Sequence, residues 1–303
     1  MNTQKSKNCK VGFVTLIARP NVGKSTLLNK IIGQKIAITT PSAQTTRKQI
    51  RGIYTDDDAQ IVFIDTPGVH KPLNKLGEYL SEQSKAAVEG CDLILFLVDG
   101  SEPAGKGDSW ITENYLKGLK TPILCVLNKV DLIKDMAKRE ANVYSYKKLF
   151  EPENIQTLKV SAKTGRNMDS LIENIKKYLP EGDKLYCDEE VTDQSLRNIA
   201  SEVIREKIIL NSRDEIPHSV AVLIEKYEEK EEIDRISAVI YVAAESQKGI
   251  LIGKGGSMLK KTGTQARYEL EKITGKKVFL ELFVKVQKNW QKDEKAMKML
   301  GLE

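Results

Sequence analysis

The chain has 303 residues, of which 30% are charged, and a formal net charge of +6. This length is sufficient for two domains with a core each, and the mildly basic balance is compatible with an anionic partner without requiring one. The four cysteines form no Cys-x-x-Cys pair and no apolar run is long enough to span a bilayer, which argues against a disulfide framework, a zinc site and a transmembrane protein. The polar segment 1–10 does not resemble a signal peptide, so we expect a cytoplasmic location.

The first half of the chain alternates strand-like and helix-like segments. Strands are predicted near 11–18, 49–54, 60–65, 93–99, 122–128 and 155–161, and helices near 24–32, 76–89, 108–118, 138–150 and 168–179. This alternation indicates an α/β fold, a doubly wound parallel sheet with helices on both faces, in which 49–54 is an antiparallel edge strand. A polar, acidic linker follows Pro180, and we predict domains over 1–181 and 182–303.

The most informative motif lies between the first predicted strand and the first predicted helix. It reads Ala18-Arg19-Pro20-Asn21-Val22-Gly23-Lys24-Ser25-Thr26. Such a loop turns backbone N–H groups and a helix N-terminus toward a polyphosphate, with Lys24 near the β- and γ-phosphates and Ser25 as a candidate Mg²⁺ ligand. The pattern usually opens with glycine, and we expect Ala18 to be tolerated because it needs only an ordinary φ.

Three later motifs follow strands and point to guanine as the base. They are Asp65-Thr66-Pro67-Gly68, Asn128-Lys129-Val130-Asp131 and Ser161-Ala162-Lys163. Asp65 is placed to hold Mg²⁺ through water, and the N–H of Gly68 to sense the γ-phosphate. Asp131 can accept hydrogen bonds from the guanine N1–H and exocyclic amine, Lys129 would lie along the base plane, and the loop at Ala162 has a backbone N–H for O6. Each motif alone is weak, but their order along one sheet edge predicts a guanine-nucleotide site.

The second half has a different pattern. A helix is predicted over 196–210, strands over 220–225 and 236–242, a helix through 259–273, a strand over 278–286 and then a basic tail helix. The loop Gly253-Lys254-Gly255-Gly256 lies between two helices, and this α-β-β-α-α-β order resembles a type II KH domain. Bare glycines would let RNA phosphates approach the backbone, Ile252 would line a groove for unstacked bases, and Lys260 and Lys261 are further candidate RNA contacts. A lone G-x-x-G is weak evidence, and a flexible loop is the alternative.

Taken together, the motifs resemble those of the Era family, bacterial Ras-like GTPases with a C-terminal RNA-binding domain. The resemblance rests on Pro20-Asn21-Val22-Gly23-Lys24-Ser25-Thr26, Gln44-Thr45-Thr46-Arg47, Asp65-Thr66-Pro67-Gly68, Asn128-Lys129-Val130-Asp131, Ser161-Ala162-Lys163 and Ile252-Gly253-Lys254-Gly255-Gly256. It implies a P-loop GTPase domain followed by an α+β KH domain, and Mg²⁺-dependent turnover of GTP to GDP. It also implies binding of the 3′ region of 16S ribosomal RNA and a part in 16S processing and small-subunit (30S) assembly. A cytoplasmic monomer with peripheral association at the cytoplasmic face of the cell membrane is the corresponding expectation.

The residues after the aspartate motif bear on the hydrolysis mechanism. Val69 stands where Ras-like enzymes place the glutamine that orients the attacking water. In related GTPases that lack this glutamine, an asparagine at the position of Asn21 helps to hold K⁺, which stabilises charge between the β- and γ-phosphates. A general-base role for His70 is an alternative, although an exposed switch-loop histidine is the commoner case.

Four residues are predicted to act in catalysis and three to ligate Mg²⁺. The catalytic set is Asn21, Lys24, Thr46 and Gly68, and the metal set is Ser25, Thr46 and Asp65. Thr45 is the alternative to Thr46 as the switch I ligand. Arg47 is a candidate arginine finger in cis, but the resemblance does not support that role.

Some assignments remain open on the sequence alone. The tail lysines are either phosphate contacts or a solvated helix face, and they are Lys285, Lys288, Lys292, Lys295 and Lys298. Trp290 is expected to anchor the tail helix and His218 to be structural. Two other function classes compete with the rRNA-binding switch: a GTPase of tRNA modification or large-subunit assembly, and a nucleotide-gated RNA-binding adaptor with negligible turnover.

Overall fold

The computed structural model describes residues 9–40, 46–151, 155–212 and 216–302, without the side chains of Pro217 and His218. The described residues form two compact units. The first comprises 9–37, 46–71 and 80–193, and the second comprises 38–40, 72–79 and 194–302. Gln44 and Thr45 lie outside the described residues, so the choice of Thr45 as a metal ligand is not addressed by the structure.

A seven-stranded sheet forms the centre of the first unit. Its strands are β1 (Cys9–Ile17), β2 (Ile50–Thr55), β3 (Ala59–Asp65), β4 (Leu93–Asp99), β5 (Ile123–Asn128), β6 (Gln156–Lys159) and β7 (Glu181–Gly182). The order β2-β3-β1-β4-β5-β6 is parallel except for β2, which pairs antiparallel with β3, and β7 pairs antiparallel with the start of β1. The predicted parallel sheet with an antiparallel edge strand is confirmed.

Helices α1–α5 accompany this sheet: α1 (Lys24–Ile32), α2 (Lys75–Glu89), α3 (Lys106–Ile111), α4 (Met136–Lys148) and α5 (Met168–Lys176). Every residue of β4 is buried, and its side chains alternate between two apolar clusters. Leu93, Leu95 and Leu97 join one cluster, whereas Ile94, Phe96 and Val98 join the other. A strand covered on both faces must be apolar at every position, which is why β4 reads as an unbroken apolar run.

The segment after β7 runs along the edge of this sheet. The buried Gln60 side chain accepts hydrogen bonds from the N–H groups of Leu185 and Tyr186 and donates one to the Tyr186 carbonyl. The Ile53 N–H donates a hydrogen bond to the Val191 carbonyl. The bond from Ile53 satisfies a backbone group of the edge strand β2 that could otherwise pair with another chain. The backbone thus stays with the first unit as far as residue 193. The predicted limits 1–181 and 182–303 remain a prediction about independently folding domains.

The second unit contains α6 (Leu196–Asn211), α7 (Ile216–Ser219), β8 (Ala221–Glu228), β9 (Ile233–Val242), α8 (Glu245–Ile252), α9 (Ser257–Thr274), β10 (Lys277–Val286) and α10 (Glu294–Met299). Its sheet has the order β10-β9-β8, with β9 parallel to β10 and antiparallel to β8. The predicted type II KH order is confirmed, with the single turn α7 added before β8. Trp290 is fully buried and donates its indole N–H to the Ser219 carbonyl, so its predicted role as an anchor is also confirmed.

Several predicted boundaries were wrong. The helix expected over 108–118 begins at Lys106 and passes into a π-helical turn at Thr112–Leu116, where the Thr112 hydroxyl bonds the Asp108 carbonyl. That local side-chain bond competes with regular helix geometry. His218 lies within α7, just before β8, and β9 begins at Ile233 rather than at the predicted residue 236. In the described residues no helix is long and apolar enough to cross a membrane.

Candidate nucleotide site and RNA interface

The loop between β1 and α1 has the backbone of a phosphate nest. Gly23 has φ 99° and Asn21 has φ 65°, so two residues of the loop are left-handed and turn their neighbouring N–H groups inward. Asn tolerates this conformation better than other residues with a side chain, which gives Asn21 a backbone role that the sequence did not reveal. Ala18 is not among the residues with positive φ and is fully buried. The expectation that alanine is tolerated there is confirmed.

The start of the aspartate motif is packed against this loop. The Val69 N–H donates to the Ala18 carbonyl at 2.9 Å, and the Thr66 hydroxyl donates to the Leu16 carbonyl at 2.7 Å. A Cβ on Gly68 would lie 3.1 Å from the Pro20 Cα. A side chain at position 68 would therefore crowd the phosphate loop, and the two loops would have to move apart by a few tenths of an ångström.

Four predicted residues converge at the N-terminus of α1. Ser25 Oγ donates to Asp65 Oδ2 at 2.9 Å and Thr46 Oγ1 donates to the same oxygen at 3.2 Å, while Lys24 Nζ lies 3.8 Å from Asp65 Oδ1. Thr26, the last residue of the motif, is exposed. Burial lowers the pKa of Lys24 and raises the pKa of Asp65, and in each case the opposite charge works against the change.

The donor set at Asp65 fits a hard divalent cation. Asp65 is fully buried, and its Oδ1 atom has no hydrogen-bond partner. The Lys24 ammonium, 3.8 Å away, offsets part of the cost of burying this oxygen without a donor, and a bound cation would offset more. The hydroxyls of Ser25 and Thr46 complete an oxygen-only set of the kind that Mg²⁺ prefers. No cluster of three or more His, Cys, Asp or Glu residues occurs in the part of the chain that the structure describes, so this set would have to be completed by phosphate and water.

The Asn-Lys-x-Asp motif clamps the phosphate loop. Asn128 Nδ2 donates to the Val22 carbonyl at 2.8 Å, and Asn128 Oδ1 accepts from the Ala162 N–H at 2.9 Å. Lys129 Nζ donates to the Asn21 carbonyl at 2.8 Å and to Asp99 Oδ2 at 2.7 Å. Asp99 belongs to no sequence motif that we identified, and only the tertiary structure brings it to this site.

The predicted base-binding residues also come together. Asp131 lies in a 3₁₀ turn, Val130–Leu132, and its Oδ1 atom is buried without a hydrogen-bond partner. Ser161 is fully buried and its Oγ accepts from the Thr164 N–H, whereas Lys163 is exposed. An unpaired acceptor at Asp131 is what a base with two adjacent donors requires. The O6 contact of this loop and the stacking of Lys129 remain predictions.

Val69 and His70 differ in their surroundings. Val69 is 4% exposed and belongs to an apolar cluster with Ile17 and Phe96. Its side chain therefore packs in the core and has no polar group with which to orient water. His70 is half-buried, and its geometry does not indicate a general base. Arg47 is buried just before β2, and its geometry does not indicate an arginine finger.

Arg19 is the residue of the phosphate loop whose role the sequence did not predict. We expected it among the nucleotide-binding residues. Its guanidinium pairs with Asp108 at 2.8 Å and Glu102 at 2.7 Å, both on the segment that follows β4, and nucleotide binding by its backbone stays a prediction. No sequence signal links residues that are 89 positions apart.

In the second unit, the G-x-x-G loop joins α8 to α9. Gly253, Gly255 and Gly256 have φ angles of 72°, 59° and 78°, which residues with a side chain rarely adopt. Lys254, Lys260 and Lys261 are exposed, and Ile252 is half-buried. The five tail lysines are exposed too. Exposure is expected both of phosphate contacts and of a solvated helix face, so it does not decide between these two alternatives.

Comparison with known proteins agrees with these two sites. A family model described as 50S ribosome-binding GTPase matches residues 13–129, and one described as KH domain matches residues 215–291. GTPase Era of Caldicellulosiruptor saccharolyticus is 51% identical over 296 residues, which cover 96% of this chain and 97% of that protein. GTPase Era of Staphylococcus haemolyticus is 46% identical over 293 residues, with coverage of 96% and 97%.

Two crystal structures match the fold over nearly its full length. A variant of Aquifex aeolicus Era bound to GDP·AlF₄⁻ has a TM-score of 0.93 at 39% identity, covering 97% of this chain and 99% of that one. Era in complex with MgGDPNP and nucleotides 1506–1542 of 16S ribosomal RNA has a TM-score of 0.94 at the same identity and coverage. With a GTPase domain followed by a KH domain and close relatives along the whole chain, the protein belongs to the Era family of GTPases and hydrolyses GTP to GDP and phosphate.

Proposed function

We propose that this GTPase is a nucleotide-controlled switch whose KH unit binds the 3′ region of 16S ribosomal RNA and assists 16S processing and small-subunit (30S) assembly. The observation that carries the proposal is the presence, in one chain, of the orphaned Asp65 and Asp131 oxygens and of the G-x-x-G loop. The choice of RNA is supported by the structurally similar Era that was crystallised with nucleotides 1506–1542 of 16S ribosomal RNA.

The backbone of the G-x-x-G loop suits a phosphodiester chain. Its three glycines leave the backbone bare, and α9 begins directly after it at Ser257. The helix N-terminus presents unsatisfied N–H groups and a partial positive charge to an anion. Exposed Lys254, Lys260 and Lys261 add charge on the same loop and on the first turns of the helix. RNA held in this way would place unstacked bases beside Ile252.

The nucleotide site suits a magnesium-bound triphosphate. Ser25, Thr46 and Asp65 would hold Mg²⁺, which when bound would bridge phosphate oxygens and neutralise their charge. Lys24 is buried and presents its ammonium to the β- and γ-phosphates, whose negative charge would offset the effect of burial on its pKa. Gly68, packed on Pro20, brings a backbone N–H close to the phosphate loop. These contacts position the γ-phosphate and stabilise the charge that develops during hydrolysis.

We propose further that K⁺ replaces the missing glutamine. Val69 is buried in an apolar cluster, so it cannot orient the attacking water. Asn21 is exposed, and its carbonyl is held by Lys129. Its side chain carries an amide oxygen, the kind of ligand that a monovalent cation beside the phosphates would take. The left-handed backbone at Asn21 is an independent reason for this residue, so an alanine substitution would test both properties at once.

Location and assembly rest on family membership. We infer a cytoplasmic monomer that associates peripherally with the cytoplasmic face of the cell membrane. Sedimentation velocity of the purified protein would give one species of about 34 kDa, close to the chain mass of 34.0 kDa. Flotation with anionic vesicles would test membrane association. A stable dimer or an absence of flotation would contradict the respective inference.

The rRNA proposal is tested by titrating an RNA that contains the 3′ end of 16S with a variant that carries Lys254→Asp and Gly255→Asp. Two carboxylates would face phosphates, so we expect RNA binding to be lost while GTP affinity is unchanged. A matched control replaces Lys117 and Gly118 in the first unit with Asp, which changes the charge by the same three units at an exposed Lys-Gly pair whose glycine also has a positive φ. Parental RNA affinity in the loop variant, with the same salt dependence, would contradict the KH interface.

A further inference from the structure

Arg19 directs its guanidinium to two carboxylates rather than to the nucleotide site. Its Nε donates to Asp108 Oδ1 at 2.8 Å and its Nη2 donates to Glu102 Oε1 at 2.7 Å. Glu102 is half-exposed, but Asp108 is fully buried. The two bonds run from different nitrogens to different residues, so they fix both the direction and the rotation of the guanidinium plane.

Asp108 is itself held by the first turn of α3. Its Oδ2 atom accepts the Gly105 N–H at 2.9 Å, and its own N–H donates to the Gly105 carbonyl at 3.0 Å. Burial raises the pKa of Asp108, and the Gly105 N–H and the charge of Arg19 oppose this shift. The carboxylate that receives Arg19 is thus held in place by the backbone at the start of the helix.

The aliphatic part of Arg19 is also enclosed. A Cβ on Gly107 would lie 2.7 Å from Arg19 Cδ, so the first turn of α3 rests directly on the side chain. Only a glycine at position 107 permits this approach. Arg19 is therefore held by packing along its stem and by two ion pairs at its end.

The neighbouring loop residues are held by other parts of the site. Val69 bonds the Ala18 carbonyl, Lys129 bonds the Asn21 carbonyl and Asn128 bonds the Val22 carbonyl. Asn128 and Lys129 belong to a predicted nucleotide-binding motif, and Val69 directly follows another. The carboxylates that hold Arg19 belong to no such motif, since Glu102 lies between β4 and α3 and Asp108 lies in the first turn of α3.

We propose that Arg19 is a positioning residue for GTP hydrolysis: it ties the start of the phosphate loop to Glu102 and to the first turn of α3 and so keeps the loop N–H groups aimed at the β- and γ-phosphates. It acts through the loop backbone and makes no contact with the nucleotide. The role needs two donors with a fixed spacing. Arginine provides them and lysine, with a single ammonium, does not.

The test is Arg19→Lys, which keeps a positive charge beside buried Asp108. We expect mantGDP release to become about tenfold faster and single-turnover GTP hydrolysis to become about fivefold slower, because small displacements of positioning groups carry large rate penalties. Thermal stability should fall by no more than a few degrees, and RNA affinity should be unchanged. Glu102→Gln removes one of the two pairs at the surface and should speed mantGDP release about twofold.

Arg51→Lys is the matched control. Arg51 lies in the same unit and pairs with Asp193 at 3.0 Å, far along the chain from the phosphate loop, so its variant should keep both parental rates. Parental mantGDP release and hydrolysis in Arg19→Lys would overturn the proposal. A melting temperature lower by more than a few degrees, or weaker RNA binding at saturating GTP, would also overturn it, since either result indicates general loosening. If Arg19→Lys does not fold, parental release in Glu102→Gln alone overturns it.

Discussion

Asp131→Asn should reverse the base preference of the nucleotide site. One carboxylate oxygen of Asp131 is buried and has no hydrogen-bond donor. Guanine would supply donors from N1–H and the exocyclic amine, and both bonds would be charge-assisted. An amide keeps one acceptor but places an NH₂ group where guanine also has a donor. Loss of a charge-assisted contact costs about 2–3 kcal/mol, which corresponds to a Kd for GTP that is about 30- to 150-fold weaker.

The assay is isothermal titration with GTP and with xanthosine triphosphate, which offers an acceptor where guanine has its amine. Affinity for xanthosine triphosphate should rise in Asp131→Asn and exceed that for GTP. Asp135→Asn is the control, because Asp135 caps α4 and Asn caps a helix equally well. Unchanged GTP affinity in Asp131→Asn would refute the placement of the base.

Three further predictions follow from the geometry. We expect the parent to hydrolyse GTP faster in KCl than in NaCl, and Asn21→Gly, which keeps the left-handed backbone, should make the two rates equal. A variant that is still faster in KCl would show that the Asn21 side chain does not bind K⁺. Asn289→Gly, also at positive φ, is the control. Although burial opposes it, the hydrogen bond from Lys176 holds the pKa of Asp56 below its ordinary 3.8, so its stabilisation is complete above that pH and is lost as the pH falls through the folded-state pKa. Asp56→Asn should therefore lower the melting temperature at pH 7, and its difference from the parent should narrow as the pH falls; a difference that does not depend on pH would contradict this. Ala18→Gly should leave GTP affinity within about twofold, since Ala18 has an ordinary φ, and a larger gain would mean that alanine strains the loop.

The sequence predicted the sheet and the site because the signals were local. Each nucleotide motif adjoins an apolar strand, and in a parallel sheet the carboxyl ends of the strands meet at one edge. The orphaned oxygens of Asp65 and Asp131 lie in the motifs where the sequence placed the metal and the base. The KH order was equally readable, because glycines at Gly253, Gly255 and Gly256 interrupt two helical segments.

What the sequence did not predict depends on contacts between distant residues. Lys129 meets Asp99 across 30 residues, and Arg19 meets Asp108 across 89, with no periodicity to indicate either pair. The early start of α3 had a local signal that we missed, since Asp108, the third residue of the helix, accepts the N–H of Gly105 before it. The only local signal for the π-helical turn after Ile111 was the hydroxyl of Thr112.

The central claim is that a GTP-controlled KH unit recognises the 3′ region of 16S ribosomal RNA. The most direct measurement is sequencing of RNA crosslinked in cells to the GTP-bound protein, with the Lys254→Asp/Gly255→Asp variant as background. The account predicts reads concentrated at the 3′ end of 16S that disappear in the variant. Reads concentrated on transfer RNA or on large-subunit RNA, or equal reads from the variant, would contradict it.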